Sequence, residues 1–580
     1  MDNITIARLL DETAALLEID GADPFRIRSY RRAAEAVEQQ TTVLATIADD
    51  PKALTAIAGI GKGMAANIRD LVATGSMPLR DELLKTYRPS MLELLRLPGM
   101  GPKTVALLWS ALQVSDVDSL EAAAKAGHLN KLPRMGQKFV DKLLKGIEDY
   151  RKNTGRFRID KAAEIAERIT ALLLHFEGID TVTPAGSLRR GRETVGDLDL
   201  LVTGPACESN CVAAAVDYVA ALPLIDQLIA KGQNKVSFLM RNGLQVDVRL
   251  LPRHTYGAAL QYFTGSKMHN VTLRQRAIKQ GFTLSEYGLA KIDDNTIVAS
   301  ESEEDVYRAL GLDYIAPELR ENCGEIEAAA AHTLPQLITL ADIRGDVHMH
   351  TTATDGSNSI REMAEAAFER GYKFIAITDH SKNLAMTNGM DDARALEHAR
   401  RVKEVDAEMD GRIRLFSGIE VDILIDGALD LEDSTLAQLD IVVGSVHSHF
   451  KLDPEEQTAR ILRAVGNPYL RILGHPTGRI LLRREPYAYD VDRVLKRCGE
   501  LGVAVEHNAS PPRADLNDRN LRAAKEFGCK IAVNTDAHST DELDLMRFGI
   551  TQLRRAWLSP ADVLNTLDAD AFLAALRPRP

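Results

Sequence analysis

Gly186-Ser187-Leu188-Arg189-Arg190, running on to Gly196-Asp197-Leu198-Asp199-Leu200-Leu201, is the stretch that most limits what this 580-residue chain can fold into. On a strand, successive side chains face opposite ways, so Asp197 and Asp199 share one face while Leu198 and Leu200 enter a core. Two anionic oxygen donors then lie within reach of one hard cation. The Gly-Ser turn offers backbone and hydroxyl donors to a phosphate, and Arg190 can neutralise its charge bidentately. A second period-2 segment, Gly243 to Leu251, carries Asp247 where a neighbouring strand can complete the site. An Asp-x-Asp pair alone is common on exposed strand ends. The arginine turn at fixed distance and the third carboxylate shift the reading toward metal and triphosphate, the requirements of nucleotidyl transfer.

Length admits about four domains, and a hydrophobic content of 45% supports several cores. The net charge of −12 is unevenly spread: residues 341–580 hold 31 Lys+Arg against 39 Asp+Glu, or −8, whereas 151–300 hold 19 against 15, or +4. The acidity sits away from the nucleotide-handling half, so a nucleic-acid partner is not excluded. Five cysteines without Cys-x-x-Cys spacing fit a reducing cytoplasm. The N-terminus lacks a signal pattern, and no apolar run approaches the ~20 residues of a membrane helix. A soluble, monomeric, cytoplasmic protein without a membrane partner is expected.

Residues 1–90 are predicted helical, with Ile4, Leu9, Leu10, Ala14, Leu17 and Ile19 on one apolar face and a basic cluster at Arg26, Arg28, Arg31 and Arg32. Two small-residue hairpins follow, one carrying Gly59, Gly61 and Gly63, the other Gly99, Gly101 and Lys103. Glycine permits the tight turn, and successive amides at a helix N-terminus can hold a DNA phosphate without reading its base. A weaker third copy at 132–138 has Arg134 in a glycine position and is expected to have lost that nest. Further along, Arg156 to Ile159 leads into a helix with Ala162, Ile165, Ile169, Leu172 and Leu173 on its buried stripe, and Tyr262-Phe263-Thr264-Gly265-Ser266 follows the third carboxylate.

The stretch 186–201, the segment around Asp247, and Tyr262 to Asn270, behind two glycine hairpins, resemble the family X DNA polymerases over residues 1 to about 330. The resemblance implies Asp197, Asp199 and Asp247 as catalytic metal ligands for Mg2+ or Mn2+. It places Ser187, Arg190 and Arg158 on the triphosphate, and Gly196, Tyr262, Phe263, Gly265 and Asn270 around the nucleotide. Arg274 is placed toward the template, with deoxynucleoside triphosphates and gapped or primed duplex DNA as partners. Val195 and Lys267 depart from the family pattern, and Asn67 stands where lyase-active members carry a Schiff-base lysine. Because that nucleophile must be an amine, no strong deoxyribose-phosphate lyase activity is expected by that route.

Nine of the 14 histidines lie beyond residue 341, most of them after short apolar runs such as Phe374 to Ile377, Ile441 to Val446 and Ile531 to Val533. Helical segments separate the runs, which predicts repeated βα units whose strand C-termini converge at a barrel mouth. His348 and His350 share a strand face by period 2, and imidazoles mixed with carboxylates suit zinc, manganese or iron better than calcium. The arrangement resembles a PHP (polymerase and histidinol phosphatase) domain. That implies ligands for up to three ions at His348, His350, Asp355, His380, Glu420, His447, His475, Asp536 and His538. His449 and His507 are extra histidines for which supporting roles are at least as plausible as ligation.

The expected fold class is multidomain: a helical helix-hairpin-helix region, an α+β nucleotidyltransferase palm with a thumb-like subdomain, and an α/β PHP barrel. The expected segments are 1–90 and 91–150 for DNA binding, 151–260 for the palm, 261–330 for the thumb, 331–341 as linker and 342–575 for the phosphoesterase. The expected function is short-gap DNA synthesis in base excision repair, with a 3′–5′ exonuclease and an abasic-site endonuclease in the barrel. Two rival readings keep the polymerase but make the barrel a histidinol-phosphate-type phosphatase or a silent, metal-stabilised scaffold.

Overall fold

The computed structural model describes residues 3–38, 44–57, 59–95, 97, 99–133, 135–153, 155–208, 211–384 and 387–578; Arg134 and the Ile4 side chain lie outside the described part. Two compact units form, Met1–Thr154 and Gly155–Pro580.

In the first unit, helices Asn3–Ile19, Pro24–Glu38 and Lys62–Thr74 enclose a core that includes Leu10, Leu17, Val37 and Ile68. A second core gathers Leu94, Val105, Leu120 and Leu143. Each glycine hairpin brackets one apolar plug, Ile60 at 3% exposure and Met100 at 2%. Gly59 (φ +100°) and Gly99 (φ +81°) take the left-handed conformation that side chains resist, and a Cβ on Gly99 would sit 2.9 Å from the Phe139 ring. Helices Lys62–Thr74 and Pro102–Leu112 start at Gly61 and Gly101 without a side-chain cap, leaving their first amides to the turn.

The second unit begins with a five-stranded sheet ordered Thr181–Pro184, Asp197–Thr203, Gln245–Leu250, Lys235–Met240, Ile225–Lys231. Only the pairing of Asp197–Thr203 with Gln245–Leu250 is parallel, and its register sets Asp199 opposite Asp247. Leu198, Leu200 and Val202 turn into a core shared with Ile169 and Leu173 of helix Ile159–Leu174, which leaves the acidic face of the strand outward. Helices Tyr256–Thr264 and Lys267–Lys279 then pack with a three-stranded antiparallel sheet around Leu273, Val306 and Tyr307. Arg189 clamps this subdomain to the palm: its guanidinium meets Glu303 at 2.9 and 2.7 Å, and Arg320 reaches the same carboxylate at 2.5 Å.

The C-terminal half has seven parallel strands in sequence order, from Gly345–Asp346 through Phe374–Ile377, Arg414–Asp422, Ile441–Ser445, Ile472–Leu473 and Ala504–Asn508 to Ile531–Asn534. A parallel bridge between Met349 and Ala537 ties the first strand to the last and nearly closes a barrel. Both faces of these strands are covered, which explains their unbroken apolar runs. Phe374 and Ala376 point to the interior cluster plugged by Phe572, while Ile375 and Ile377 face the helices. Segment 331–341 is mostly exposed and is anchored at buried Ile338, whose amide donates to the Leu558 carbonyl at 3.1 Å.

Glu303 is 4% exposed. Burial raises its carboxyl pKa, but Arg320 and Arg189 outweigh this and hold it at about 2, below the ordinary 4.5. The contribution is therefore full above about pH 4.5 and is lost as pH falls toward 2. Glu303→Ala is expected to cost about 3 kcal/mol at pH 7. In urea denaturation of wild type and Glu303→Gln, the gap between midpoints should narrow between pH 7 and pH 3.

Candidate active sites

The palm site grows from the register of two strands. Asp197 and Asp199 leave the first, Asp247 leaves the second, and the Ala185 amide donates to the Asp199 carbonyl at 2.8 Å, seating the Gly186–Arg189 turn against them. Gly186 has φ +57°, and a Cβ there would lie 2.8 Å from Asp199 Oδ2. Burial, then the charges of Asp197 and Asp247, lifts the Asp199 carboxyl to about 6. Asp247 Oδ1 is buried without a partner, while Oδ2 sits 3.2 Å from Lys235 Nζ. Three repelling carboxylates and an orphaned oxygen fit a divalent cation.

A cleft of about 620 Å³ opens above them, lined by Ser187, Arg190, Gly196, Tyr262, Phe263, Gly265, Asn270 and Arg274. Tyr262 and Phe263 meet edge to face at 5.1 Å, with the Arg249 guanidinium 4.0 Å from the Phe263 ring centre. The Asn270 amide is fixed at both ends, accepting from Gln261 Nε2 at 2.8 Å and donating to the Tyr262 carbonyl at 2.7 Å. Arg158 does not line this cleft: its strand ends there, and Asp160 in the first turn of the next helix takes Nε and Nη2 at 3.0 and 2.8 Å. Arg156, Arg192 and Lys267 line it instead. Arg156 lies just before the strand Phe157–Arg158, and its charge two residues ahead of Arg158 was the signal that could have found it.

In the barrel, the nine implied ligands converge at the strand C-termini. Among the described residues, ligand atoms lie within 4.8 Å of one another in three groups: His350, Asp355, His380 and His538; His348, His350 and Asp536; and His380, Glu420 and His447. His475 joins them, its Nε2 at 2.9 Å from Glu420 Oε1. His348 Nε2, His350 Nδ1, His447 Nε2 and Glu420 Oε2 are buried without hydrogen-bond partners, a costly arrangement unless cations occupy the centre. Burial and the neighbouring His380 and His538 lower the His350 imidazole to about 4, keeping it in the neutral form that binds metal. Glu420 is held well below the carboxylate range: burial opposes this, and His447, His348 and His380 prevail.

Supporting residues are the part of the site that motif and spacing did not identify. Glu506 accepts from His348 Nδ1 at 2.7 Å, from the His475 amide at 2.7 Å and from Asn534 Nδ2 at 2.9 Å. Asp422 takes His447 Nδ1 at 2.5 Å. Both are charged residues in apolar strands, and Asp422 lies two residues beyond Glu420; each was a readable signal. His507 belongs to none of the three ligand groups; its Nδ1–H donates to the Leu516 carbonyl at 2.7 Å, and burial lowers its pKa to about 4.

In the first unit, a separate cavity of about 870 Å³ is lined by Gly59, Gly61 and Gly63 with Arg26, Arg32 and Asn67. Asn67 Nδ2 donates to Tyr30 Oη at 2.8 Å. Lys103 is exposed in the first turn of its helix, beside Gly101. Among the described residues no helix is long and apolar enough to cross a membrane.

A nucleotidyltransferase palm with a thumb, joined to a histidine-rich barrel and preceded by helix-hairpin-helix elements, defines the class of a DNA polymerase fused to a metal-dependent phosphoesterase. Family models agree: a helix-hairpin-helix domain over 1–77, a SAM-like helix-hairpin-helix tandem over 91–149, a DNA polymerase beta thumb over 259–321 and a PHP domain over 346–510. The chain is 37% identical over 573 residues to the DNA polymerase/3′-5′ exonuclease PolX of Bacillus subtilis (strain 168), covering 98% of each. It is 32% identical over 232 residues to a probable phosphatase of Thermoanaerobacter sp. (strain X514), covering 38% of this chain and 89% of that one. A Leishmania infantum polymerase beta ternary complex aligns with 40% of this chain and 98% of its own, at 23% identity and a TM-score of 0.28. The chain belongs to the PolX family, the bacterial family X DNA polymerases with a C-terminal PHP domain.

Two substitutions test the sites separately. Gly186→Ala should displace the Asp199 carboxylate and weaken Mn2+ binding at the palm at least tenfold, read by titration calorimetry, with the metal content of the barrel unchanged. Glu506→Gln should lower barrel metal affinity by about 10- to 100-fold, read as metal retained after dialysis.

Proposed function

We propose that the chain fills short gaps in duplex DNA during base excision repair in the cytoplasm, and that its barrel removes 3′-terminal nucleotides and cuts at abasic sites. The observation that carries the polymerase reading is Asp199 opposite Asp247 in parallel register below a cleft lined by Arg156, Arg190, Arg192 and Lys267. Asp197, Asp199 and Asp247 would hold Mg2+ or Mn2+, and the nine barrel residues up to three Mn2+, Zn2+ or Fe ions. When bound, such ions lower the pKa of the attacking hydroxyl or water and neutralise the leaving group.

The remaining work falls to side chains. Ser187 Oγ and the Gly186 turn offer donors to the triphosphate, and Arg190 supplies charge beside them. Tyr262 and Phe263 form a wall for the sugar, with Asn270 locked beside them. Arg274, whose Nε donates to the Asn270 carbonyl at 3.2 Å, sits on the same helix and faces the template side. The hairpin glycines Gly59, Gly61, Gly63, Gly99 and Gly101, with Lys103, grip DNA phosphates irrespective of sequence. In the barrel, Glu506 and Asp422 hold His348 and His447 as ring-nitrogen donors in fixed tautomers. No lyase chemistry is proposed at Asn67, whose amide cannot form a Schiff base.

A second reading has its own support: the barrel half matches probable phosphatases over most of their length. The complete donor set argues against the silent-scaffold alternative. A time course with Mn2+ or Mg2+ on a one-nucleotide-gapped duplex, a single-stranded oligonucleotide and histidinol phosphate separates the readings. Asp199→Ala is expected to abolish extension and spare 3′ degradation, and His348→Ala to do the converse. Hydrolysis confined to histidinol phosphate would favour the second reading, and loss of both activities in either variant would contradict independent sites.

A further inference from the structure

Helix Met546–Arg555 of the phosphoesterase half lies against the phosphate turn of the palm. Gln552 Nε2 donates to the Gly191 carbonyl at 2.7 Å, and Arg555 Nη1 donates to the Arg190 carbonyl at 2.7 Å. Gly191 is in the left-handed region at φ +68°, and a Cβ there would overlap Thr551 on the same helix. The approach is therefore as close as backbone and helix permit.

Arg555 also reaches the side chain of Arg190 through one intermediary. Its Nη1 lies 3.0 Å from Glu321 Oε1, the same oxygen that accepts from Arg190 Nε at 3.1 Å. The opposite edge of Arg555 is held by Asp518 Oδ2, at 3.1 Å from Nε and 2.7 Å from Nη2. With its own side chain 2% exposed and its partners Asp518 and Glu321 partly exposed, Arg555 makes contacts that are screened less than surface pairs. Arg190 in turn commits Nε to Glu321 and Nη1 to the Thr264 carbonyl, so the edge left for an anion is oriented by Glu321.

Other ion pairs cross the same boundary. Arg479 meets Glu193 at 2.5 and 3.1 Å, Arg554 meets Glu318 at 2.7 Å, and Arg547 meets Glu167 at 2.9 Å. These hold the palm and thumb to the barrel without touching Arg190. Arg555 alone among them contacts both the backbone carbonyl of Arg190 and the carboxylate that aims its guanidinium.

We infer that Arg555, a residue of the phosphoesterase half, is a positioning residue for DNA synthesis: it fixes Arg190 for the triphosphate of the incoming nucleotide, an assignment that rests on Arg190 being a triphosphate ligand. The barrel is then a structural part of the polymerase site as well as the seat of a second reaction. Arg555 touches none of the nine barrel ligands by hydrogen bond or ion pair, so its effect on synthesis is separable from 3′ degradation.

Full-length Arg555→Gln, Arg555→Lys, Arg190→Gln and the double variant Arg190→Gln/Arg555→Gln test this. The readouts are KM for a deoxynucleoside triphosphate and kcat in primer extension, with degradation of single-stranded DNA reporting on the barrel. Arg555→Gln should raise KM roughly tenfold, with a smaller change in kcat and intact 3′ degradation. Arg555→Lys should recover little, because an ammonium cannot span the three acceptors in one plane. The double variant should be no worse than Arg190→Gln, since the two residues act as one unit. An unchanged KM in Arg555→Gln, beside a raised KM in Arg190→Gln, overturns the assignment and leaves the reading of Arg190 standing. Multiplying effects in the double variant overturn it too, as does loss of both activities in both Arg555 variants, which would mark general support of the fold. A normal KM in Arg190→Gln removes the triphosphate reading and the positioning role with it.

Discussion

Repulsion between carboxylates set side by side is the constraint on which the palm depends. Parallel register forces Asp199 beside Asp247, and Asp197 leaves the same face two residues earlier. Burial of Asp199, and then repulsion from Asp197 and Asp247, lift its carboxyl to about 6. The surroundings answer with charge: Lys235 beside Asp247, Arg249 under Phe263, and the arginine-bearing turn against the strand. Because the shift raises the pKa, the unfavourable contribution grows as pH rises from 3.8 to about 6, and a bound cation removes it.

The barrel solves a related problem with the opposite charge. Rings that would repel as imidazolium ions are stacked close, His350 within 4.3 Å of both His380 and His538, beside the buried carboxylates of Glu420 and Asp536 and the exposed one of Asp355. Glu506, Asp422 and Asp346 surround the ligands from behind. Asp346 accepts from Thr535 Oγ1 at 2.5 Å and so connects the first strand to the last, next to the bridge that nearly closes the barrel. Closure of the fold and assembly of the site are one event, since His348, His350, Asp536 and His538 flank that seam.

Between the two sites runs a boundary that is part of both. The phosphate turn of the palm carries Arg189 toward the thumb, Arg190 toward the cleft and Gly191 toward the barrel helix, so three subdomains meet on three consecutive residues. Buried pairs at such a junction specify one arrangement, because removing either partner strands a charge.

The elements with strong local signals are legible in the amino-acid sequence. Period-2 strands announce the paired aspartates, glycine spacing announces the hairpins, and histidines after apolar runs announce a barrel with ligands at its rim. Those features are set by backbone geometry over a few residues, and a sequence states them directly. What it does not state is which of two nearby arginines turns into the cleft: Arg156 lines it, while Arg158 is captured by Asp160 where the strand gives way to a helix. Nor does it reveal that Glu506 supports two ligands at once, or that Arg555 stands 365 residues away from the arginine it braces. Residue type and spacing determined the chemistry available to this protein. Only tertiary packing decided which charges meet, because burial and contact between distant segments set the electrostatics and leave no mark on local sequence.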